Sequence, residues 1–104
     1  MKDDLYKTIE RFEPQMVSLL SGLIGIPAIS PLGGGAGEYR KAAYIAESLE
    51  KMGFGKPEVY NAADPAAEEG VRPNLIFRIP GKTSRRLWIV SHIDVVPEGD
   101  RGLW

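Results

Sequence analysis

Apolar side chains recur through the first quarter of the chain at Leu5, Ile9, Phe12, Met16, Leu19 and Leu23, in steps of 4, 3, 4, 3 and 4 residues. That spacing is one stripe of an α-helix, whose turns return a side chain to the same face every three or four positions. Pro14 falls inside the stripe and has no N–H to give to the ladder. Either the helix kinks there or a second helix begins with proline in its first turn, where proline is tolerated. The phase is kept across Pro14, so both pieces are expected to face one core. An ordinary amphipathic helix accounts for the stripe better than a partner-binding or membrane helix. Gly25 and Pro27 end it.

From Pro31 to Gly37 the pattern is lost in a loop with four glycines, and Glu38 opens another helix. Its apolar face is Ala42, Ile45, Ala46, Leu49 and Met52, and Gly53 is placed as its C-terminal cap. Glu58-Val59-Tyr60 predicts a short strand, and Asn61 to Val71, rich in Ala, Asp and Glu, reads as a solvated loop. Asn74 to Ile79 alternates weakly and predicts a strand that Pro73 limits at its start. About six polar residues, Gly81 to Arg86, lead from it to Leu87-Trp88-Ile89-Val90, a connection short enough for antiparallel neighbours. Leu87 to Val90 is apolar without alternation and has aromatic and β-branched members. Such a run predicts a strand buried on both faces, placed centrally in an α/β sheet. The element order is helix, helix, strand, strand, strand, with two helices packing on one or both faces of the sheet.

The composition narrows the functional classes. One domain at most fits in 104 residues, and it buries less of its surface than a ~150-residue domain would. Thirteen basic and fourteen acidic residues leave a net charge of −1, which gives no electrostatic footprint for nucleic acid or a membrane surface. There is no cysteine, so disulfides and thiolate ligands are excluded, in keeping with a reducing cytoplasm. Met1-Lys2-Asp3-Asp4 lacks the basic-then-apolar plan of a signal peptide, and no apolar run approaches the ~18 residues of a membrane span. The glycine-rich loop is not a phosphate cradle. A P-loop would need a glycine at Ile76, five residues before Gly81-Lys82-Thr83, and a dinucleotide fingerprint would need one at Glu38.

Chemistry enters at Ser91-His92-Ile93-Asp94-Val95-Val96-Pro97, where the only histidine stands two residues before a carboxylate. In an extended segment, residues i and i+2 project to the same side. Open α/β sheets place their chemistry just past the carboxyl ends of their strands, where His92 falls. A metal-bound imidazole usually gives its second nitrogen to a carboxylate or carbonyl. His-x-Asp can supply a ligand and the group that orients it, and the same three residues equally describe a structural histidine with a satisfied ring.

The flanking residues carry a resemblance. His92 to Pro97 resembles the first metal-site motif of the M20 zinc metallopeptidases, the group of succinyl-diaminopimelate desuccinylase, acetylornithine deacetylase, aminoacylase and glutamate carboxypeptidase. Leu23 to Ser30 is similar to that family's end of the first helix. Arg72-Pro73-Asn74-Leu75-Ile76, closing at Pro80-Gly81, is similar to the strand before the metal-bearing one. Gly99-Asp100 and Trp104 match the residues that usually come after the proline in that family.

The resemblance implies the N-terminal part of a zinc-peptidase-like, three-layer α/β/α catalytic domain with a mixed sheet, residues 1–104 forming a fragment with no second domain. It implies a cytoplasmic metal-dependent deacylase or peptidase, with two zinc ions in the complete enzyme and cobalt as a substitute. The substrate would be an N-acyl amino acid, N-succinyl or N-acetyl diamino acids being favoured, or a small peptide. His92 is carried over as a metal ligand and Asp94 as the active-site carboxylate, while no substrate-binding residue can be named. The remaining ligands (a bridging aspartate, a glutamate pair, another acid and a late histidine) match nothing in these residues. The acids of the 58–70 region, Glu98 and Asp100 read as solvated charges. The isolated chain is therefore expected to be inactive and to self-associate through an unpaired sheet edge. The competing reading is a non-catalytic module acting in protein interaction.

Overall fold

The computed structural model describes all residues from Met1 to Trp104. The first apolar stripe is split into α1 (Lys2–Arg11) and α2 (Glu13–Ile24). Phe12 closes one and opens the other, and the Met16 N–H donates to its carbonyl at 2.8 Å. Pro14 lies in the first turn of α2, where its missing N–H costs no bond, so the second of the two expected arrangements is the one formed. The shared core is formed only by the end of α2. Leu19 and Leu23 are half-buried, whereas Leu5, Ile9, Phe12 and Met16 are 46–59% exposed. Gly22 is where α2 meets the next helix, for a Cβ there would stand 1.9 Å from the Tyr44 hydroxyl oxygen.

Helix α3 (Tyr39–Lys51) follows Glu38 and buries Ala42, with Ile45, Ala46 and Leu49 half-buried on the same face. It ends as the sequence predicts. Gly53 has φ +91°, its N–H donates to the Glu50 carbonyl at 3.0 Å, and the Phe54 N–H donates to the Leu49 carbonyl at 3.0 Å. These two bonds make a Schellman motif, which satisfies carbonyls the helix would otherwise leave open.

Strands β1 (Glu58–Ala63) and β2 (Val71–Ile76) form an antiparallel pair in which Glu58 faces Ile76 and Ala63 faces Val71. Both differ from the sequence expectation. β1 runs three residues further than Glu58–Tyr60, and β2 begins at Val71, passing through Pro73 rather than starting after it. In a two-stranded sheet each strand has a free side, and a proline whose nitrogen faces that side removes no ladder bond. The 64–70 connection is also less solvated than expected. Ala67 is buried, the Glu68 N–H donates to the Ala36 carbonyl at 2.7 Å, and Arg40 donates to Glu68 at 2.8 Å.

The largest correction concerns Leu87 to Val90, expected as a central buried strand paired with β2. The sheet holds only β1 and β2. Residues 78–94 make no backbone–backbone hydrogen bond, and Leu87, Trp88, Ile89 and Val90 are 63–88% exposed. A doubly apolar strand needs neighbours on both faces, and the hairpin's two strands satisfy each other instead. The mixed sheet is thus reduced to an antiparallel hairpin plus one isolated parallel bridge between Ile29 and Val95. The chain is α/β in content.

What is buried is a small nucleus of loop and helix start: Ala28, Gly37, Glu38, Lys41, Ala42 and Ala67. The 31–37 loop folds tightly onto Ile29, whose carbonyl accepts the Gly37 N–H at 2.9 Å, and a Cβ on Gly35 would sit 2.1 Å from that same oxygen. The accessible surface is 8849 Å² and the radius of gyration 16.6 Å. A compact chain of this size has about 5,800 Å² and about 13 Å. The chain therefore leaves far more apolar surface in water than a closed domain does. No helix is long and apolar enough to cross a membrane.

Gly35→Ala is expected to destabilise the chain by about 1–3 kcal/mol, since the contact is to backbone. Gly81→Ala, where nothing lies within 4 Å, should leave it unchanged; urea denaturation of the two variants compares them. The exposed 87–90 run should drive self-association, visible in light scattering as mass above the monomer that falls when Trp88 and Val90 are replaced by Lys. A strict monomer at high concentration would refute this.

Candidate metal centre

The His92 segment is anchored from its C-terminal side. The Val95 N–H donates to the carbonyl of fully buried Ala28 at 3.0 Å, and the bridge to Ile29 continues this contact. Just before that anchor the ring of His92 turns back on Asp94. Its Nδ1 lies 3.0 Å from the Asp94 carbonyl oxygen and 3.2 Å from Oδ1. Both partners accept, so in the neutral imidazole this contact places the proton on Nδ1 and the lone pair on Nε2. Nε2 has no partner in the chain, and the His92 side chain is 84% exposed. The two residues named from the sequence are therefore brought together, with Nε2 left without a partner.

A charge cluster that local sequence did not reveal stands where α3 begins beside β2. Glu38, with a side chain only 5% exposed, accepts two hydrogen bonds from Arg72 of β2, one from Nε at 3.0 Å and one from Nη2. This fork raises the Arg72 pKa above its ordinary value, burial opposing, and the negative charges of Glu38, Asp64 and Asp94 add to the rise. The guanidinium is thus within the field of Asp94. Of the other acids, Asp64 shapes the hairpin turn by accepting the Ala66 N–H at 3.1 Å, and Glu68 pairs with Arg40. Asp100 accepts the Gly102 N–H at 2.8 Å, and Glu98 is held below the usual carboxylate range by its own backbone N–H and by Arg101. None of them is hydrogen-bonded to His92. The shallow hollow lined by Met52, Phe54, Arg78 and Ile79 also lies outside the 87–96 segment.

The chain has relatives among named metallohydrolases. The chain is 39% identical over 111 aligned residues to an uncharacterized metallohydrolase of Methanococcus maripaludis, covering 100% of this chain and 24% of that protein. It is 37% identical over 98 residues to an uncharacterized metallohydrolase of Methanocaldococcus jannaschii, covering 86% of this chain and 23% of the relative. With succinyl-diaminopimelate desuccinylase of Rickettsia felis it shares 32% identity over 88 residues, 85% of this chain and 21% of the enzyme. The chain is a homologue of the M20-type metallohydrolases. It spans between 21% and 24% of the length of these relatives. No family model and no solved structure matches it.

For a homologue of metallohydrolases the donor set can be tested directly. Nowhere do three His, Cys, Asp or Glu side chains gather into a group able to hold a metal ion. A catalytic zinc takes about three protein ligands plus water. His92 with Asp94 behind it fits one ligand and its orienting partner, and it does not close a site. The buried Glu38 carboxylate can be tested as well. Arg72→Met removes the only side-chain partner of a buried carboxylate and is expected to lower the midpoint of chemical denaturation measurably. Arg101→Met, at an exposed pair, should shift it far less, and the two variants compared side by side check this.

Proposed function

We propose that this chain carries the first metal-ligand motif of a zinc-dependent amide hydrolase, a deacylase acting on N-acyl amino acids, with N-succinyl or N-acetyl diamino acids favoured over small peptides. The observation that carries the reading is the Nδ1–H of His92 directed at Asp94, which leaves the Nε2 lone pair free. The succinyl-diaminopimelate name of a relative 32% identical over 88 residues supports the choice of acyl group. In this reading residues 1–104 form the N-terminal part of a three-layer α/β/α catalytic domain of cytoplasmic setting, and the rest of that domain covers Leu87 to Val90.

Each residue then has a definite task. His92 contributes one imidazole nitrogen to a site completed by residues outside these 104, two zinc ions in all, with cobalt able to replace them. Asp94 accepts the opposite ring proton, holds the ligating tautomer and places negative charge behind the imidazole, strengthening it as a donor. A bound zinc lowers the pKa of a ligated water and polarises the amide carbonyl. The leaving amine takes its proton from an acid or base that the 104 residues do not supply.

Elemental analysis after dialysis tests the ligand count. The isolated chain should retain well under one zinc per molecule, since one imidazole cannot fill a tetrahedral site. Stoichiometric zinc would show that the ligand set has been misassigned. In the full-length hydrolase, Asp94→Asn should lower turnover by about 10-fold or more while zinc content falls less. His92→Ala should lower zinc content and activity together. Unchanged turnover in Asp94→Asn, with only a lower melting temperature, would leave a structural pair and favour the non-catalytic interaction module.

A further inference from the structure

Strand β1 is paired on one side only, and all six of its residues are exposed. Which of its backbone groups are open follows from the ladder. Residues opposite one another in an antiparallel pair alternate between those that exchange hydrogen bonds and those whose N–H and C=O point away. The Asp64 N–H donates to the Gly70 carbonyl at 2.9 Å, one step beyond the Ala63–Val71 pair, so the even-numbered residues of β1 face β2. The Tyr60 carbonyl, which accepts from the Asn74 side chain at 3.1 Å, keeps the same parity. Val59, Asn61 and Ala63 therefore turn their N–H and C=O groups to the open side. Sheet edges are usually blunted by proline, lysine or a bulge. β2 has Pro73 opposite Asn61, its nitrogen on the outer side, whereas β1 has none of these and runs through six pairs in unbroken register.

We propose that β1 is the contact between two copies of this chain, joined edge to edge and antiparallel across a two-fold axis at Asn61. Asn61 then meets Asn61 of the second copy, and Val59 meets Ala63 in both directions, which satisfies every open group of both strands. The partner is a second copy because the edge reads the same from either end. Its open positions are evenly spaced about Asn61, and Pro57 and Pro65 bracket them, each four residues away. A shift of two residues in either direction would set Ala63 against Pro57 or Val59 against Pro65, and a proline has no N–H to give. Tyr60 comes opposite the small Ala62, an aromatic beside a position with room for it. Glu58 comes opposite Asp64, a repulsion that Arg78, already bonded to Glu58, offsets. Assembly stops at two, because the four-stranded sheet so formed ends on both sides at an edge interrupted by Pro73. An edge of six residues is a smaller contact than the ~800 Å² per partner of standard interfaces, so the dimer forms reversibly and at high concentration. It is independent of the reading of His92 as a ligand.

The chain has no cysteine, so a single introduced thiol reports the register. Across a bonded antiparallel pair the Cα atoms stand about 5.5 Å apart, inside the disulfide range. Asn61→Cys should therefore give a disulfide-linked dimer under mild oxidation. Val59 is just as outward and exposed, but Val59 of the second copy stands about 14 Å further along the strand. Val59→Cys should cross-link at least ~10-fold less. Both variants are made with Trp88→Lys and Val90→Lys, which removes association through the 87–90 run. Asn61→Cys that stays monomeric would overturn the proposal, as would Val59→Cys that cross-links equally well. Asn61→Pro, in the same background, is a second check that needs no oxidation. It removes an outward donor and no ladder bond to β2, so it should abolish the concentration-dependent rise in mass seen by sedimentation while circular dichroism is unchanged. A rise that persists in Asn61→Pro would equally sink the contact.

Discussion

A carboxylate taken out of water decides how this chain packs. Glu38 stands at the start of α3 with its side chain 5% exposed, and Arg72 of β2 is the cation that meets it. Desolvating both groups offsets most of their attraction, so the pair adds little net stability over a well-packed apolar contact. Its effect is discrimination. Any arrangement that buries Glu38 without Arg72 strands a charge, which disfavours other registers of the hairpin on α3. The 31–37 loop is ordered by the same requirement, because Gly37 must reach the Ile29 carbonyl for Glu38 to arrive in place. Ala28, Ala42 and Ala67 then close around the junction, small residues where backbones come near.

Local signals were legible in the sequence wherever local physics decides the outcome. The break at Phe12–Pro14, the apolar face of α3 and the Schellman end at Gly53 all depend on residues within one or two turns, and all three formed as expected. The misreadings share a cause. Leu87 to Val90 has the composition of a buried strand, and composition states what an element needs, not whether the neighbours that would satisfy it are there. Pro73 was read as a boundary because proline removes a ladder donor, but on the free side of a two-stranded sheet there is no donor to remove. The 61–71 segment looked like solvent-facing loop because its anchors, Glu68 to Ala36 and Arg40 to Glu68, join it to a different part of the chain.

The candidate site divides the same way. His92 and Asp94 are two apart, and the i, i+2 geometry of an extended segment is enough to place them together. The Glu38–Arg72 fork was invisible because each half has an adequate local explanation, one as a helix start and the other as part of the Arg72-Pro73-Asn74 motif. A signal does exist in hindsight. An acid at a helix start that comes after a glycine loop tight enough to exclude a Cβ is being driven into the interior, and a buried acid implies a distant cation.

The two sides of His92 are therefore held by different means. Towards its C-terminus, Val95 is docked on a buried residue; towards its N-terminus, Leu87 to Val90 make no backbone hydrogen bond and stand exposed. Orientation of the ring relative to Asp94 depends on the first side, while the position of the whole pair against any further ligand depends on the second. These are separable. A ligand held to within a fraction of an ångström needs both, because a ring of the right tautomer on a loose backbone still wanders. Covering the 87–90 run would restrain the position of His92 without altering which nitrogen faces Asp94. In the ligand reading proposed for His92, the pair with Asp94 selects the nitrogen left free, and the apolar surface left open is where the position of that nitrogen remains to be fixed.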